Sequence, residues 1–312
     1  MTEQERLNAG KAQTSIYLTS QFSKWRLFSI LTAEKIINEF TIFEELIDNN
    51  LCLHSSTDYF PQRQYYAGVV VQALAEAIQN IEDLFALIYC AQDIPMFVGR
   101  IANYKAGKIS NFVKTAKIDR SNFQEMFFFR FPLDGASYPD AEIHHNISAR
   151  IDRTISDLSR LQDFYTRFEY LYLQYKHGLS LVFQSDGLEN RPISREEFKA
   201  GIQVWPFDNL EITKAIKEKR TQLGISMFLS EWTQRHVVEL DRQNNLLRFI
   251  IGIEDLKIES IVQVARITTN LNDALRQNML DFCTIPERHP VKCYLPGDNY
   301  EAFSTLTEGG TT

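Results

Sequence analysis

From Ile143 to Tyr175 apolar residues return every three or four positions without a break: Ile143, Ile147, Ile151, Ile155, Leu158, Leu161, Tyr165, Phe168, Tyr172 and Tyr175. That period is one face of an α-helix, and it predicts a single helix over about 140–177. At ~1.5 Å per residue such a helix is roughly 60 Å long, so it must bend or reach beyond one small core. A chain that commits so much of itself to one rod is constrained to a mainly α architecture. A rod of that length commonly supports a homodimer.

The rest of the pattern agrees. Phe22, Trp25, Phe28, Leu31, Ile36, Phe40, Phe43 and Ile47 predict a helix over 20–49, with a stop at Asp48-Asn49-Asn50. Tyr66, Val70, Ala73, Ala77, Ile81, Leu84 and Ile88 predict a second over 62–91, with Pro61 suited to its first turn. Shorter helical pieces are expected over 96–105, 109–117 and 121–130, followed by a loop over 133–139. Past Gly178 the character turns β-prone. Leu179–Phe183, Ile225–Leu229, His236–Leu240 and Leu246–Ile251 read as strands, the last two pairing around Arg242-Gln243-Asn244-Asn245. Helical period returns over 253–282 through Leu256, Ile261, Val264, Ile267, Leu271, Leu275 and Met279. The expected fold is a helical bundle with one long central helix and a small β-containing insertion, about 179–251, before the last helix. Residues 1–19 read as flexible, 20–283 as one helical domain and 284–312 as an irregular tail broken by Pro286, Pro290 and Pro296.

Composition excludes several classes. With 312 residues, 44% hydrophobic and 12% aromatic, the chain has material for a real core and is no disordered polymer. A net charge of −7 argues against a general nucleic-acid coat but not against a local basic patch. Cys52, Cys90, Cys283 and Cys293 form no CxxC pair, so they read as idle thiols in a reducing compartment. No stretch reaches the ~18 apolar residues of a membrane span, and the polar start is unlike a signal peptide; the expected location is the cytoplasm. GxxxxGK[ST], GxGxxG and GxSxG are all missing, and no cofactor is expected. His144-His145 lies in the first turns of the long helix, where adjacent rings point about 100° apart; no metal site is expected. The phenylalanines at 123, 127, 128, 129 and 131 read as core.

The long pattern closes on Tyr175-Lys176-His177-Gly178. A helix C-terminus carries unpaired carbonyls and partial negative charge, which favours Lys and His, with Gly following in the left-handed position. Capping therefore accounts for the composition of the tetrapeptide. The same cations are suited to bind a phosphate or to protonate a leaving oxygen, with His177 the acid and Lys176 beside it. On the second helix Glu76, Asn80 and Asp83 stand three and four apart, and Asp83 or Glu76 is placed to orient His177 or to pair with Lys176. The other reading of that trio is a solvated face.

A long helix ending in Tyr-Lys-His-Gly, followed by a short strand, an insertion and a final helix, resembles bacterial members of the HEPN superfamily. The resemblance covers residues 20–283 in layout and 175–178 as motif. It implies an all-α, often dimeric domain from toxin–antitoxin, abortive-infection or CRISPR-linked systems, many of them metal-independent RNases, with a cognate antitoxin or regulatory protein as partner. Catalytic members place an Arg four to six residues before the His. Here the nearest upstream arginine is Arg167, ten residues before His177. Ten residues fall some 80° short of whole turns and ~15 Å along the axis, so these two cannot grip one phosphate from the same helix.

One segment runs against the net charge. Residues 94–118 hold Arg100, Lys105, Lys108, Lys114 and Lys117 and no Asp or Glu. Phe97, Tyr104 and Phe112 are interleaved, which suits phosphate contacts with base stacking. Two amphipathic helices with lysines outward and rings inward produce the same pattern. The functional expectation is a protein linked to RNA or a nucleotide, with RNase-like chemistry if it is an enzyme. The alternatives are a non-catalytic dimeric interaction or regulatory module and, last, a small-molecule binder.

Overall fold

The computed structural model describes residues 2–39, 41–42, 45–46, 62–131, 133, 141–176, 181–183, 225–227, 236–238, 249–251, 258–285, 292–296 and 301–304. The helices are α1 (Glu3–Ser20), α2 (Trp25–Asn38), α3 (Gln62–Ala91), α4 (Phe97–Ala102), α5 (Ala106–Thr115), α6 (Phe123–Phe127), α7 (Ala141–Lys176) and α8 (Ile258–Thr284). The strands β1 (Leu181–Phe183), β2 (Ile225–Met227), β3 (His236–Val238) and β4 (Phe249–Ile251) lie between α7 and α8, and β5 (Lys292–Leu295) and β6 (Glu301–Ser304) follow. This is a mainly α bundle with one very long helix and a small β-containing insertion. Among the described residues no single helix is long and apolar enough to cross a membrane.

In place of one domain over 20–283, the chain forms two compact units, each assembled from separated stretches. The first holds residues 1–27, 78–168 and 264–312. Its core is the segment Ile78–Ala91 of α3, where Ile78, Ile81, Leu84, Phe85, Ala86, Leu87, Ile88 and Cys90 are all buried. A helix buried on every side is the centre of a core. α7 instead buries one stripe, Ile147, Ile151, Leu158, Leu161 and Tyr165, as its 3.6-residue period requires. The phenylalanines at 123, 127, 129 and 131 are core too, with Phe123 and Phe127 stacked at 5.0 Å.

The start of the chain is not flexible but helical. Thr2 and Glu5 form a capping box: the Glu5 N–H donates to Thr2 Oγ1 at 3.2 Å, and the Thr2 N–H donates to Glu5 Oε2 at 2.7 Å. Gly10, Thr14 and Leu18 face inward, and Tyr17 meets Phe97 edge to face at 5.5 Å. Arg276 of α8 closes the other end, donating to the carbonyls of Leu18 and Gln21. The tail is not wholly irregular either. β5 and β6 pair antiparallel, Lys292 opposite Ser304. Alternation buries Cys293 and Leu295, while Asn278 clamps the Tyr294 backbone, donating to its carbonyl at 3.0 Å and accepting its N–H at 2.7 Å.

The second unit holds residues 28–77 and 169–263. α2 is shorter than the 20–49 pattern and turned from it: Ile30, Ala33 and Ile37 are buried, while Phe28 is 71% exposed. Val70, Val71, Ala73, Leu74 and Ala77 are buried as well. β3 and β4 pair antiparallel in the anticipated way, Val237 opposite Ile250, with β-branched residues on both strands. β1 and β2 pair in parallel, Val182 opposite Ser226. The stop at 48–50, the loop over 134–139, His177, Gly178 and the end over 305–312 lie outside the described residues.

Gly10 marks where α1 comes closest to the turn Ile94–Met96. A Cβ there falls 2.5 Å from Pro95 Cα and 2.8 Å from the Ile94 carbonyl oxygen, both backbone atoms that cannot swing away. Gly10→Ala is therefore expected to cost about 1–3 kcal/mol in chemical denaturation. Gly99→Ala, which meets nothing within 4 Å, serves as the control and should unfold like the parent protein or slightly later.

Candidate nucleic-acid interface

The cationic segment is built on α4 and α5. Phe97 is fully buried, and the Arg100 guanidinium lies over the Tyr89 ring at 4.8 Å. On α5 the buried Ile109 and Val113 set the inner face. Phe112 joins them, 5.2 Å from Tyr89 and 6.2 Å from Phe85. Lys105, Lys108, Lys114 and Lys117 are consequently exposed, whereas only Tyr104 of the three interleaved aromatics is, at 43%. Stacking by Phe97 is excluded by its burial, and Phe112 has its inner side occupied.

Lysines at the start of α5 oppose the helix's own field. Lys105 is the N-cap and makes no side-chain capping bond, Lys108 follows in the first turn, and that turn contains no acidic residue. A helix N-terminus is partly positive, so cations there destabilise it unless an anion arrives. Gly107 adds no side chain between them, and a Cβ at that position meets nothing within 4 Å. The turn thus presents two ammonium groups around an unobstructed stretch of backbone, an arrangement fitted to an oxyanion.

The far end of α5 is held by amides. Gln162 of α7 donates from Nε2 to the Val113 carbonyl at 2.6 Å and to the Ala116 carbonyl at 2.9 Å. Asn122 donates from Nδ2 to the Lys117 carbonyl at 2.6 Å. Asp119 lies close to Lys117 and closes the turn that leads into α6, accepting from the N–H groups of Ser121 at 2.9 Å and Asn122 at 3.2 Å. The Ser121 hydroxyl and these N–H groups, with Lys117 contributing, hold its carboxyl below the usual range. Phe128 ends α6 in the left-handed region, φ 51° and ψ 36°, where glycine is usual, and its ring is braced 5.1 Å from Phe282.

The residues put forward for catalysis have other surroundings. Asp83 Oδ2 accepts from Arg26 Nε at 2.7 Å; Arg26 also donates to Gln79 and stacks on Trp25 at 4.3 Å. Asn80 is no part of a solvated face: it is 1% exposed and donates to the Ala265 carbonyl and to Thr269 Oγ1. Lys176 is exposed, its Nζ 5.8 Å from the centre of the Tyr172 ring, and His177 lies outside the described residues. Sequence reasoning missed Arg26 and Gln162, because their partners are 57 and 46–49 residues away and leave no local signal. Burial pushes the thiols of Cys283 and Cys293 up to about 11, so both are protonated near neutrality. Among the described residues no three His, Cys, Asp or Glu side chains gather to hold a metal. Comparison with protein-family models, curated proteins and solved structures returns no match to this chain.

Burial raises the Asp83 carboxyl above its ordinary value, against the opposing pull of Arg26. A carboxyl raised in the fold contributes stability below its unfolded pKa, and that contribution is lost as pH rises through the folded value. Above that pH the charge depends on Arg26. Arg26→Met is expected to lose about 1–3 kcal/mol at pH 7 in urea denaturation, and less as pH falls and Asp83 takes up its proton. Adding Asp83→Asn to Arg26→Met should return most of the neutral-pH loss.

Proposed function

We propose that this chain is an RNA- or nucleotide-linked cytoplasmic protein of HEPN-like type, serving a toxin or defence system, and that Arg100, Lys105, Lys108, Lys114 and Lys117 form its phosphate-binding face. The observation that carries the reading is the start of α5, where Lys105 and Lys108 stand at a partly positive helix end whose first turn holds no acidic residue. A local rule broken without a stabilising return marks a functional position. Phosphate contacts of this kind position a nucleic acid without reading its sequence. Any cleavage is assigned to His177 as proton donor with Lys176 beside it, metal-independent, in a homodimer whose second copy or another helix supplies the arginine that α7 lacks at the family spacing. A cognate antitoxin or regulatory protein is the expected partner in that setting.

The second reading is a non-catalytic dimeric interaction or regulatory module. It is favoured by large apolar side chains left in solvent near the end of α1: Ile16 at 66%, Phe22 at 71% and Trp25 at 43%.

Fluorescence anisotropy with a labelled single-stranded RNA tests the first reading. Affinity should fall as salt rises, with a logarithmic slope approaching about −3.5 if all five cations meet phosphates. Lys105→Glu with Lys108→Glu should weaken binding roughly tenfold or more and flatten that slope. Salt-independent binding, or an unchanged affinity in the double variant, rejects the face. His177→Ala should abolish cleavage and leave binding intact; a cleaving His177→Ala protein rejects the catalytic assignment alone.

A further inference from the structure

Beside Lys117 the first unit contains a cavity of about 270 Å³. Ile88 forms a buried floor, half-buried Phe112, Met126 and Phe128 form walls, and exposed Gln92, Lys117 and Glu125 stand around it. Ligand pockets for larger molecules run from ~300 to ~1,000 Å³, so this one takes a single ring system and its substituents. Both rings are held from behind. Phe112 leans on Tyr89 and Phe85, and Phe128 on Phe282, so neither must be ordered when something docks against it. The chain accepts a left-handed Phe128 to put that ring there.

The lining is mixed in a way that selects chemistry. A purely apolar guest would make no use of Gln92, Lys117 and Glu125 at the exposed rim, and a bare anion would leave Phe112, Met126 and Phe128 unfilled while facing Glu125. A flat heteroaromatic ring with donors and acceptors on its edge, bearing an anionic group, satisfies all of them. Rings contact Phe112 and Phe128, edge groups reach the Gln92 amide and the Glu125 carboxylate, and the anion meets Lys117. Lys117 also belongs to the cationic face, so the cavity lies where a phosphate backbone on that face passes. Asn122 keeps the place in register, since its amide is already bonded to the Lys117 carbonyl.

We infer that this cavity is a nucleotide subsite, taking one base against Phe112 and Phe128 with its phosphate on Lys117. The inference rests on the phosphate-binding reading of the α4–α5 segment and adds a base site to it. The nucleotide is either free in solution or one unstacked residue of an RNA strand, because the recognised groups are the same.

The full-length protein is titrated with AMP, GMP, CMP and UMP by saturation-transfer NMR and calorimetry. In parallel it is titrated by anisotropy with a 12-residue RNA and with the same strand lacking one base. Ala116 also lines the cavity, so Ala116→Phe fills it, and Gln92→Ala trims its edge; neither residue belongs to the cationic face, and circular dichroism checks that each variant folds. The site predicts saturable mononucleotide binding that inorganic phosphate alone does not reproduce. Ala116→Phe should weaken it roughly tenfold or more, and Gln92→Ala should shift preference among the four bases. RNA weakened equally by Ala116→Phe and by base removal, with its salt slope kept, assigns the strand as source. Mononucleotide binding without such an effect on RNA assigns the free nucleotide, and supports the site equally. Salt-sensitive RNA binding that ignores both the filled cavity and the missing base, without mononucleotide binding, overturns the subsite and leaves the cationic face standing. Failure to bind any mononucleotide or RNA overturns both.

Discussion

Asn80, Glu82 and Asp83 sit on a helical segment whose other side chains are almost all inside the core, and the first unit is arranged around their needs. Asn80 is buried and Glu82 and Asp83 are half-buried, and a polar group drawn out of water unpaired costs free energy that is large beside the fold's margin, so each must be answered. The three answers come from three different elements. Asn80 finds the Ala265 carbonyl and Thr269 on α8, Glu82 accepts from the fully buried Tyr165 of α7 at 2.7 Å, and Asp83 takes Arg26 of α2. An apolar helix alone would be content at several rotations and several depths. These three side chains restrict that freedom, since each is bonded to a different element in the observed rotation of α3.

The cationic segment inherits its position from the same arrangement. Phe85 and Tyr89 of α3 receive Phe112, which sets the rotation of α5 and turns its lysines outward. Gln162, one helical turn before Tyr165 on α7, then fixes the last carbonyls of α5. Tyr165 and Gln162 tie the two ends of one chain of dependence: the first locks α7 to the core helix, and the second locks the basic helix to α7. Charge in this region is therefore displayed from a rigid base. Lys105 and Lys108 add nothing to that rigidity, because at the start of a helix they work against it, whereas Lys114 in the last turn suits the helix dipole.

Much of this is legible in the amino-acid sequence where its cause is periodic. α3, α7 and α8 carry long stripes, and β3 with β4 carries a β-branched pattern around a polar turn. α1 was misread for a physical reason. Its apolar residues are few, so it has almost no amphipathic stripe, and Gly10 and Thr14 do the inward packing. Its signal was the capping box Thr2-x-x-Glu5, a matter of termini rather than of faces. β5 escaped notice because Pro290 and Pro296 flank it, and prolines near a four-residue strand outweigh the alternation of Cys293 and Leu295. For α2 the aromatic residues suggested a face one position away from the real one. Phe22 and Phe28 are in solvent, and the smaller Ile30, Ala33 and Ile37 are inside.

The candidate site divides along the same line. A run of lysines without acids can be counted in a sequence, and their exposure follows once Ile109 and Val113 are taken as the inner face. The partner of Asp83 cannot be found that way, because Arg26 is 57 residues distant and Asp83 is equally plausible beside any cation. Composition also leaves open whether Phe97, Tyr104 and Phe112 face a ligand or the core; depth decides it. Phe97 is taken by Tyr17, Phe112 is shared between the core and the cavity, and Tyr104 alone projects. Apart from the projecting Tyr104, stacking capacity is thus found in the hollow next to Lys117, which both Phe112 and Phe128, the C-cap of α6, line. A base site made of rings 16 residues apart on two helices has no spacing rule to betray it, which is why only the assembled core brings it into view.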